Sequence, residues 1–241
     1  MLNNIKLSNI LFLDIETVSF CEHLKELPEK LQYHWARKAK SFLNDTNDVD
    51  SVYSERAAIF AEFGRIICIS TGFFTSTHEE LSFRVKSFFG HEEKSLLTDF
   101  SLLLQRLNKD NSYILCAHNG KEFDFPYIAR RMLVNSVSLP EMLDIAGKKP
   151  WEVNHLDTME LWKFGDYKHY TSLDLLTQIF GIPSPKGDFD GSLVGRIYYQ
   201  EKDLQKIVEY CQRDVVAIAQ LFLKYRNEPL MVDSQIQIIT P

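Results

Sequence analysis

The chain has 241 residues, of which 45% are hydrophobic and 25% are charged, and this composition predicts a globular protein that buries its own core. Its net charge of −6 argues against tight, sequence-independent binding of long duplexes, because such binding needs a broadly basic surface. The N-terminus shows no basic segment followed by a long apolar one, and no stretch approaches about 18 apolar residues. We therefore expect a cytoplasmic protein without a membrane partner.

The chain shows no repeat, no low-complexity tract and no linker, which predicts a single domain over residues 1–241. Its four cysteines, Cys21, Cys68, Cys116 and Cys211, are scattered and form no CxxC pair. Three of them lie inside apolar runs, where a buried, reduced thiol is expected.

In the first half of the chain, residues 7–15 form a short apolar run that predicts a buried strand. Residues 20–62 are rich in Lys, Glu and Ala and predict a helical insertion of two pieces on one side of a sheet. Residues 65–75 and 80–89 predict two further strands, and residues 92–108 have apolar positions at helical spacing.

The second half alternates strands and helices. Residues 112–117 predict a strand, Val153–Leu161 contains another, and the tail from Asn227 is not assigned. Helices are predicted over Asp124–Asn135, Ser172–Phe180, Ser192–Tyr199 and Lys202–Tyr225, with a loop over 184–191. Three adjacent strands followed by helix-separated strands predict an α/β fold. Its mixed five-stranded sheet combines an antiparallel meander with parallel strands and is flanked by helices.

Two carboxylates, Asp14 and Glu16, come at the predicted end of the first strand. Side chains two residues apart on a strand point to the same face, whereas Leu13 and Ile15 point the other way, into the core. Two acids beside an apolar sheet are costly unless a cation lies between them, and hard divalent cations take oxygen ligands. Taken alone, the pair is better explained as a strand that ends in solvent.

A second group of candidates lies in the segment HNGKEFDFPYIARRM, His118–Met132. Asp124 stands at or just before a helix that has Pro126 in its first turn, so an ordinary N-cap explains it equally well. Asn119 is either a turn residue or a residue whose amide binds a ligand or braces the acids. For Phe123, packing is favoured over stacking on a base.

A third pair, Tyr210 and Asp214, lies four residues apart on the last predicted helix and therefore shares one helix face. An apolar stripe that includes Ile207, Cys211 and Val215 runs beside it. Taken alone, the pair is better explained as two solvent-facing residues of an amphipathic helix.

Taken in order, the three patterns are DxE, then Asn-x₃-Phe-Asp, then Tyr-x₃-Asp. They resemble the three motifs of the DEDD superfamily, the DnaQ-like or ribonuclease H-like 3′→5′ exonucleases. The tyrosine is similar to that of the DEDDy branch, which contains the proofreading domains of family A and B DNA polymerases. The chain most resembles the stand-alone bacterial exonucleases related to the family B domain, over about residues 10–225.

This resemblance implies a ribonuclease H-like fold and two divalent cations, Mg²⁺ or Mn²⁺. It implies that Asp14 bridges both ions, that Glu16 and Asp214 complete the shell of the first, and that Asp124 reaches the second through water. Tyr210 would orient the attacking water. Because a phenol with a pKa near 10 is a poor base, Tyr210 is expected to position the water rather than deprotonate it.

Further residues are candidates for substrate contact. They are Thr17, Asn119, Lys121, Phe123 and Arg130. A path for phosphates is predicted along Lys121, Arg130, Arg131, Lys148, Lys149, Lys163, Lys168 and Lys186. Asp157, which comes at the end of the fifth strand, is favoured as a helix cap or sheet-edge residue. His118 and His155 are favoured as structural residues, and Asp188 and Asp190 as turn residues.

The predicted function is metal-dependent 3′→5′ exonuclease activity on a single-stranded 3′ end, with DNA favoured over RNA. Such an enzyme needs to bind only a few nucleotides of a frayed strand in its cleft, so it does not require a broadly basic surface. One alternative is a ribonuclease H-like endonuclease, which the Tyr-x₃-Asp helix disfavours. Another is a catalytically silent nucleic-acid-binding module, which the presence of all four acids disfavours. The sequence contains no polymerase domain and identifies no polymerase or repair partner.

Overall fold

A mixed sheet of six strands forms the centre of the computed structural model, which describes residues 2–77, 80–108, 112–166, 170–183 and 191–239. The strands are β1 Ile10–Ser19, β2 Gly64–Thr77, β3 Glu80–Phe89, β4 Ile114–Ala117, β5 Leu156–Asp157 and β6 Ile236–Ile239. Their order across the sheet is β5–β4–β1–β2–β3–β6. Strands β1, β2 and β3 form an antiparallel meander. Strand β4 runs parallel to β1, β5 parallel to β4, and β6 parallel to β3.

Helices cover both faces of this sheet. They are α1 Glu29–Ala39, α2 Val49–Arg56, α3 Glu93–Leu107, α4 Asp124–Val134, α5 Thr158–Lys163, α6 Leu173–Phe180, α7 Val194–Arg196 and α8 Leu204–Tyr225. Helix α7 continues into a π-helical turn over Ile197–Glu201. Within the described residues, no helix is both long and apolar enough to cross a bilayer.

Side chains of β1 alternate between two cores, as the period of a strand requires. Leu11, Leu13 and Ile15 face α3 and α4, where they pack with residues such as Phe100 and Ile128. The opposite face of β1 is covered by α8.

Helix α8 packs on the second face through an apolar stripe at helical spacing. Val215, Ile218 and Phe222 contact the core that contains Ile10 and Phe12. Because Asp14 and Glu16 follow Phe12 at steps of two residues, their side chains continue this same face toward the first half of α8.

The segment between β1 and β2, predicted as a helical insertion, contains α1 and α2. It has an apolar cluster of its own, in which the buried ring of Trp35 makes edge contacts with Tyr53 and Phe63. The hydroxyls of Thr17 and Tyr127 both donate to the carbonyl of Ala58, at 2.9 and 2.8 Å, and so fasten the segment to β1 and α4.

The structure corrects several boundaries. Strand β1 extends to Ser19, so Asp14 and Glu16 lie inside a strand rather than at its end. The tail forms a sixth strand, and the helix predicted over Ser192–Tyr199 is only a short helix followed by a π-helical turn. The predicted loop over 184–191 falls almost entirely outside the described residues, as do Lys168, Lys186, Asp188 and Asp190.

The cysteines are free thiols, and His155 has the structural role expected for it. Cys68, Cys116 and Cys211 are buried free thiols, and Cys21 is a half-buried one. His155 bridges the backbone of Leu115 and Met142.

Arg131, predicted on the phosphate path, is instead buried in an ion pair with Glu93. Its Nη2 and Nε atoms donate to the Glu93 carboxylate at 2.5 and 2.9 Å, and Nη1 donates to the carbonyl of Ala61. The same carboxylate accepts from the backbone of Ile66 and the amide of Asn135. This pair joins α3, α4 and β2, which explains why the side chain is withdrawn from solvent.

We expect Arg131→Met to lower the free energy of unfolding by about 3–5 kcal/mol, because it leaves the buried Glu93 carboxylate without its cation. The matched control is the neighbouring exposed Arg130→Met, which should change stability by about 0.5 kcal/mol or less. Urea unfolding of both variants checks this. Equal losses would show that the ion pair contributes nothing specific.

Candidate active site

Strand β1 supplies the first two carboxylates. Glu16 is buried, whereas Asp14 keeps some exposure to solvent. Opposite Glu16 on β2 lies Cys68, and the register between the strands shifts at the next residue pair. Such an irregularity twists a strand locally and is common beside functional sites.

Helix α8 supplies the side chains that face this pair. The thiol of Cys211 donates to the carboxylate and to the backbone carbonyl of Asp14, both at 3.4 Å. Asp214, three residues further along the helix, is buried, and the hydroxyl of Tyr210 donates to its carboxylate. The predicted i, i+4 pair therefore faces the acids of β1 and not solvent.

The fourth carboxylate, Asp124, is the first residue of α4 and is buried. It accepts a hydrogen bond from the backbone N–H of Ile15, between the two acids of β1. No side chain caps α4, so the N-cap explanation of Asp124 does not hold.

A tight turn between β4 and α4 sets the position of Asp124. Asn119 in this turn is left-handed, with a φ of 63°, and a side chain at Gly120 would meet the Cβ of Ala117 at 2.4 Å. The buried carboxylate of Asp157 holds the turn by accepting from the backbone N–H groups of Asn119 and Lys121, at 3.0 and 3.1 Å. Asp157 also caps α5, which confirms the expected cap but adds a second role.

Burial has the largest effect on the pKa values of the clustered acids, and crowding of like charges adds to it. Burial raises the pKa of Asp14 well above its usual value, and the carboxylates of Asp214, Asp124 and Glu16 raise it further. Burial likewise raises the pKa of Glu16, with further contributions from Asp214 and Asp124. Each acid therefore opposes the ionisation of the others.

The remaining two acids show the same effect. Burial raises the pKa of Asp124 to about 8, although the backbone hydrogen bond from Ile15 partly offsets it. Burial raises the pKa of Asp214 to about 7, against the lowering effect of the Tyr210 hydroxyl and of Arg213.

The pKa of Tyr210 is raised above its usual value by burial and by the neighbouring carboxylates of Asp214, Glu16 and Asp14. A phenol in this environment stays protonated at neutral pH. It is thus a hydrogen-bond donor.

The residues present fit a divalent cation. A carboxylate oxygen of Asp14, one of Glu16 and the sulfur of Cys211 lie within 4.8 Å of one another. A set of buried carboxylates that oppose each other's ionisation is stabilised by a hard cation, which takes oxygen ligands.

The candidates for substrate contact lie around the second motif, except Thr17, which follows Glu16 on β1. The hydroxyl of Thr17 is engaged with Ala58, and the ammonium of Lys121 lies 2.7 Å from Glu160. The Phe123 ring packs on Tyr127, and Arg130 is exposed on α4. The side-chain oxygen of Asn119 is buried and has no hydrogen-bond partner among the described residues.

Sequence reasoning missed two contributors to the site. Cys211 was assigned only to the apolar stripe, although its spacing of one residue from Tyr210 gave a signal that it lies near the acids. Asp174, in the first turn of α6, raises the pKa of Asp214, and no motif pointed to it.

The sheet topology, together with an acidic cluster between β1, α4 and α8, defines the ribonuclease H-like class of nuclease fold. The chain matches the family described as "Predicted 3′-5′ exonuclease related to the exonuclease domain of PolB" over residues 59–236. It belongs to this family, and the expected enzyme class, a 3′→5′ exonuclease and hydrolase, is confirmed. The match begins after Asp14 and Glu16.

Among solved structures, the chain is similar to the family B DNA polymerase from the hyperthermophilic archaeon Pyrobaculum calidifontis, with a TM-score of 0.53 and 13% sequence identity. The similarity covers 89% of this chain but only 24% of the polymerase chain. At this identity it shows the fold alone. A search of curated proteins finds no match.

We expect the free energy of unfolding, measured without divalent ions, to fall as the pH rises from about 4 to about 8. Unfolded carboxyls ionise near 3.8, whereas those of Asp124 and Asp214 ionise only at about 8 and about 7 in the folded chain. Between these values the folded state binds more protons, so stability decreases with pH.

Asp124→Asn keeps a hydrogen-bond acceptor but removes one ionising group, so its decline with pH should be shallower than that of the wild type. The exposed Glu55→Gln on α2 serves as the control and should match the wild type. Urea unfolding in EDTA at about pH 5 and about pH 8 checks this. Identical slopes for all three proteins would contradict the account of the site.

Proposed function

We propose that the chain removes nucleotides from the 3′ end of single-stranded DNA with the help of bound Mg²⁺ or Mn²⁺. The observation that supports this most is the convergence of Asp14, Glu16, Asp124 and Asp214 from three elements into one buried cluster. Their carboxylates lie close enough for several to raise one another's pKa values.

The four carboxylates of the cluster would hold the divalent cations. The chemistry that these cations supply when bound is activation of the attacking water and stabilisation of the departing 3′ oxygen. The protein keeps the carboxylates in place through packing of α8 on β1 and through the turn that Asp157 holds. Such preorganisation means that little reorganisation is needed during the reaction.

Tyr210 is proposed to orient the attacking water and the Asp214 carboxylate. The raised pKa of its phenol argues against a role as a base. Its contribution is therefore one of position.

Four residues of the second motif, and Thr17 on β1, are proposed to act on the substrate in different ways. Asn119 offers a buried oxygen without a partner, and Arg130 offers an exposed cation on α4. Phe123 and Lys121 line the same turn. Thr17 is proposed to act indirectly, because its hydroxyl holds the insertion through Ala58.

Two considerations support single-stranded DNA as the substrate. The chain carries a net charge of −6, which disfavours wrapping of a duplex, whereas a short single strand needs only a local path. The family description relates the chain to the exonuclease domain of a DNA polymerase.

The test is digestion of 5′-labelled single-stranded DNA, duplex DNA and RNA with Mg²⁺ or Mn²⁺. Stepwise shortening of single-stranded DNA from its 3′ end is expected. Asp14→Asn should reduce it to the level of an EDTA control, because a ligand of the cations is lost, whereas the exposed Glu55→Gln should retain full activity. Internal nicks would instead indicate an endonuclease, and binding without cleavage would indicate a silent binding module.

Tyr210→Phe belongs in the same assay. Loss of the hydroxyl should lower turnover by roughly 10–100-fold, the size of effect expected from misplaced reactants, while cation affinity stays near that of the wild type. Unchanged turnover would remove Tyr210 from the proposed mechanism.

A further inference from the structure

Helix α1 of the insertion presents a basic face to solvent. Lys30, Tyr33, Arg37 and the following Lys40 are exposed and share this side of the helix, whereas Trp35 and Ala39 are buried on the other. His34 is also exposed between them. The spacing of three and four residues between these positions makes one continuous stripe.

The charge of this stripe is opposite to that of the protein as a whole. Residues 30–44 contain Lys30, Arg37, Lys38 and Lys40 and no aspartate or glutamate, although acids outnumber Lys and Arg by 33 to 27 in the chain. A locally basic face on an acidic protein selects for an anionic partner that touches only that face.

Cations of the insertion lie on aromatic rings rather than on carboxylates. The guanidinium of Arg37 lies 5.8 Å from the centre of the Tyr33 ring, and the ammonium of Lys38 lies 4.0 Å from that of Phe60. No ion pair of α1 is found with any other described residue, in contrast to pairs such as Arg226 with Glu228. Although α1 begins with the acidic residue Glu29, the basic side chains that follow it form no ion pair among the described residues.

Exposed rings interleaved with cations suit a single nucleic-acid strand. Cations contact successive phosphates, and rings stack on bases without regard to sequence. The ring of Tyr33 is 61% exposed and is available for such stacking.

The insertion that carries the stripe is joined to β1, the strand that carries Asp14 and Glu16. The insertion begins directly after Ser19, three residues beyond Glu16, which corresponds to roughly 10 Å along the strand. Thr17 and Tyr127 fix its far end through Ala58, and Tyr53 fixes its near end through a hydrogen bond with Cys21.

We propose that α1 binds the phosphate backbone of the single strand upstream of the 3′ nucleotide held at the acidic cluster. This inference rests on the proposed function and adds a second contact region to it. Helix α1 is roughly 16 Å long, so its basic face spans several successive phosphates of a strand that extends beyond the nucleotide at the acidic cluster. The contribution of α1 therefore depends on the length of the strand.

The family match covers residues 59–236 and thus leaves out α1. The basic face is therefore a feature of this chain outside the region that identifies the family.

The test compares two triple variants with the same loss of charge. The first is Lys30→Gln, Arg37→Gln and Lys40→Gln; the control is Lys6→Gln, Lys94→Gln and Arg106→Gln, at exposed positions outside the insertion. Binding of a fluorescein-labelled single DNA strand of about 30 nucleotides is measured by anisotropy in EDTA, where no hydrolysis is expected, at several salt concentrations.

The α1 variant should bind roughly ten-fold more weakly at low salt. Its plot of log affinity against log salt should be shallower by about 2, since each phosphate contact contributes about 0.7 for single strands. The control should match the wild type. Equal binding by all three proteins, or equal weakening in both variants, would overturn the proposal.

A second experiment, hydrolysis of a strand of about four nucleotides, distinguishes failure of this inference from failure of the proposed function. The α1 variant should hydrolyse it at the wild-type rate, because so short a strand does not reach α1; slower hydrolysis of it would count against a separate contact region.

If the wild type hydrolyses no strand yet binds the long one through α1, only the proposed function fails. If hydrolysis occurs but binding does not depend on α1, only this inference fails.

Discussion

Mutual repulsion among buried carboxylates is the constraint around which this structure is organised. Asp14, Glu16, Asp124 and Asp214 are removed from bulk water to different degrees, and each has a raised pKa. The four carboxylates do not attract one another, so other contacts must hold them together. The acids stay close because the elements that carry them are held by apolar packing and backbone hydrogen bonds, and a bound cation would relieve the repulsion that remains.

The packing that opposes this repulsion lies on both sides of the acids. Along β1, Phe12 packs against α8 before the acidic pair, and Val18 packs with Ile207 of α8 after it. Asp124 is held separately, by a turn whose backbone N–H groups converge on Asp157. The acids therefore lie in a polar gap between two apolar contacts, where Asp14 and Tyr210 keep partial exposure to solvent.

Much of this arrangement could be predicted from local patterns. The three motifs, the antiparallel meander and the helical character of residues 20–62 follow from spacing and composition, and the mixed sheet is confirmed. What could not be predicted depends on contacts between distant parts of the chain. Arg130 and Arg131 are adjacent residues of the same type, and no local pattern distinguishes them. Only Arg131 reaches Glu93 of α3 and is buried.

The same limit explains the other differences. Strand β6 forms because it pairs with the edge strand β3, and no local pattern in the sequence predicts this pairing. Asp157 is recognisable as a helix cap, but its hold on the turn before Asp124 requires the pairing of β4 with β5. The helical spacing of apolar residues predicts that Cys211 is a core residue. It contacts Asp14 only because α8 packs across β1.

The central claim, that these four carboxylates together bind divalent cations, is tested most directly by titration with Mn²⁺, with the free ion followed by electron paramagnetic resonance. The expected result is uptake of about two ions per wild-type chain and a marked loss of uptake in Asp14→Asn. Equal uptake by the wild type and by Asp14→Asn would contradict it.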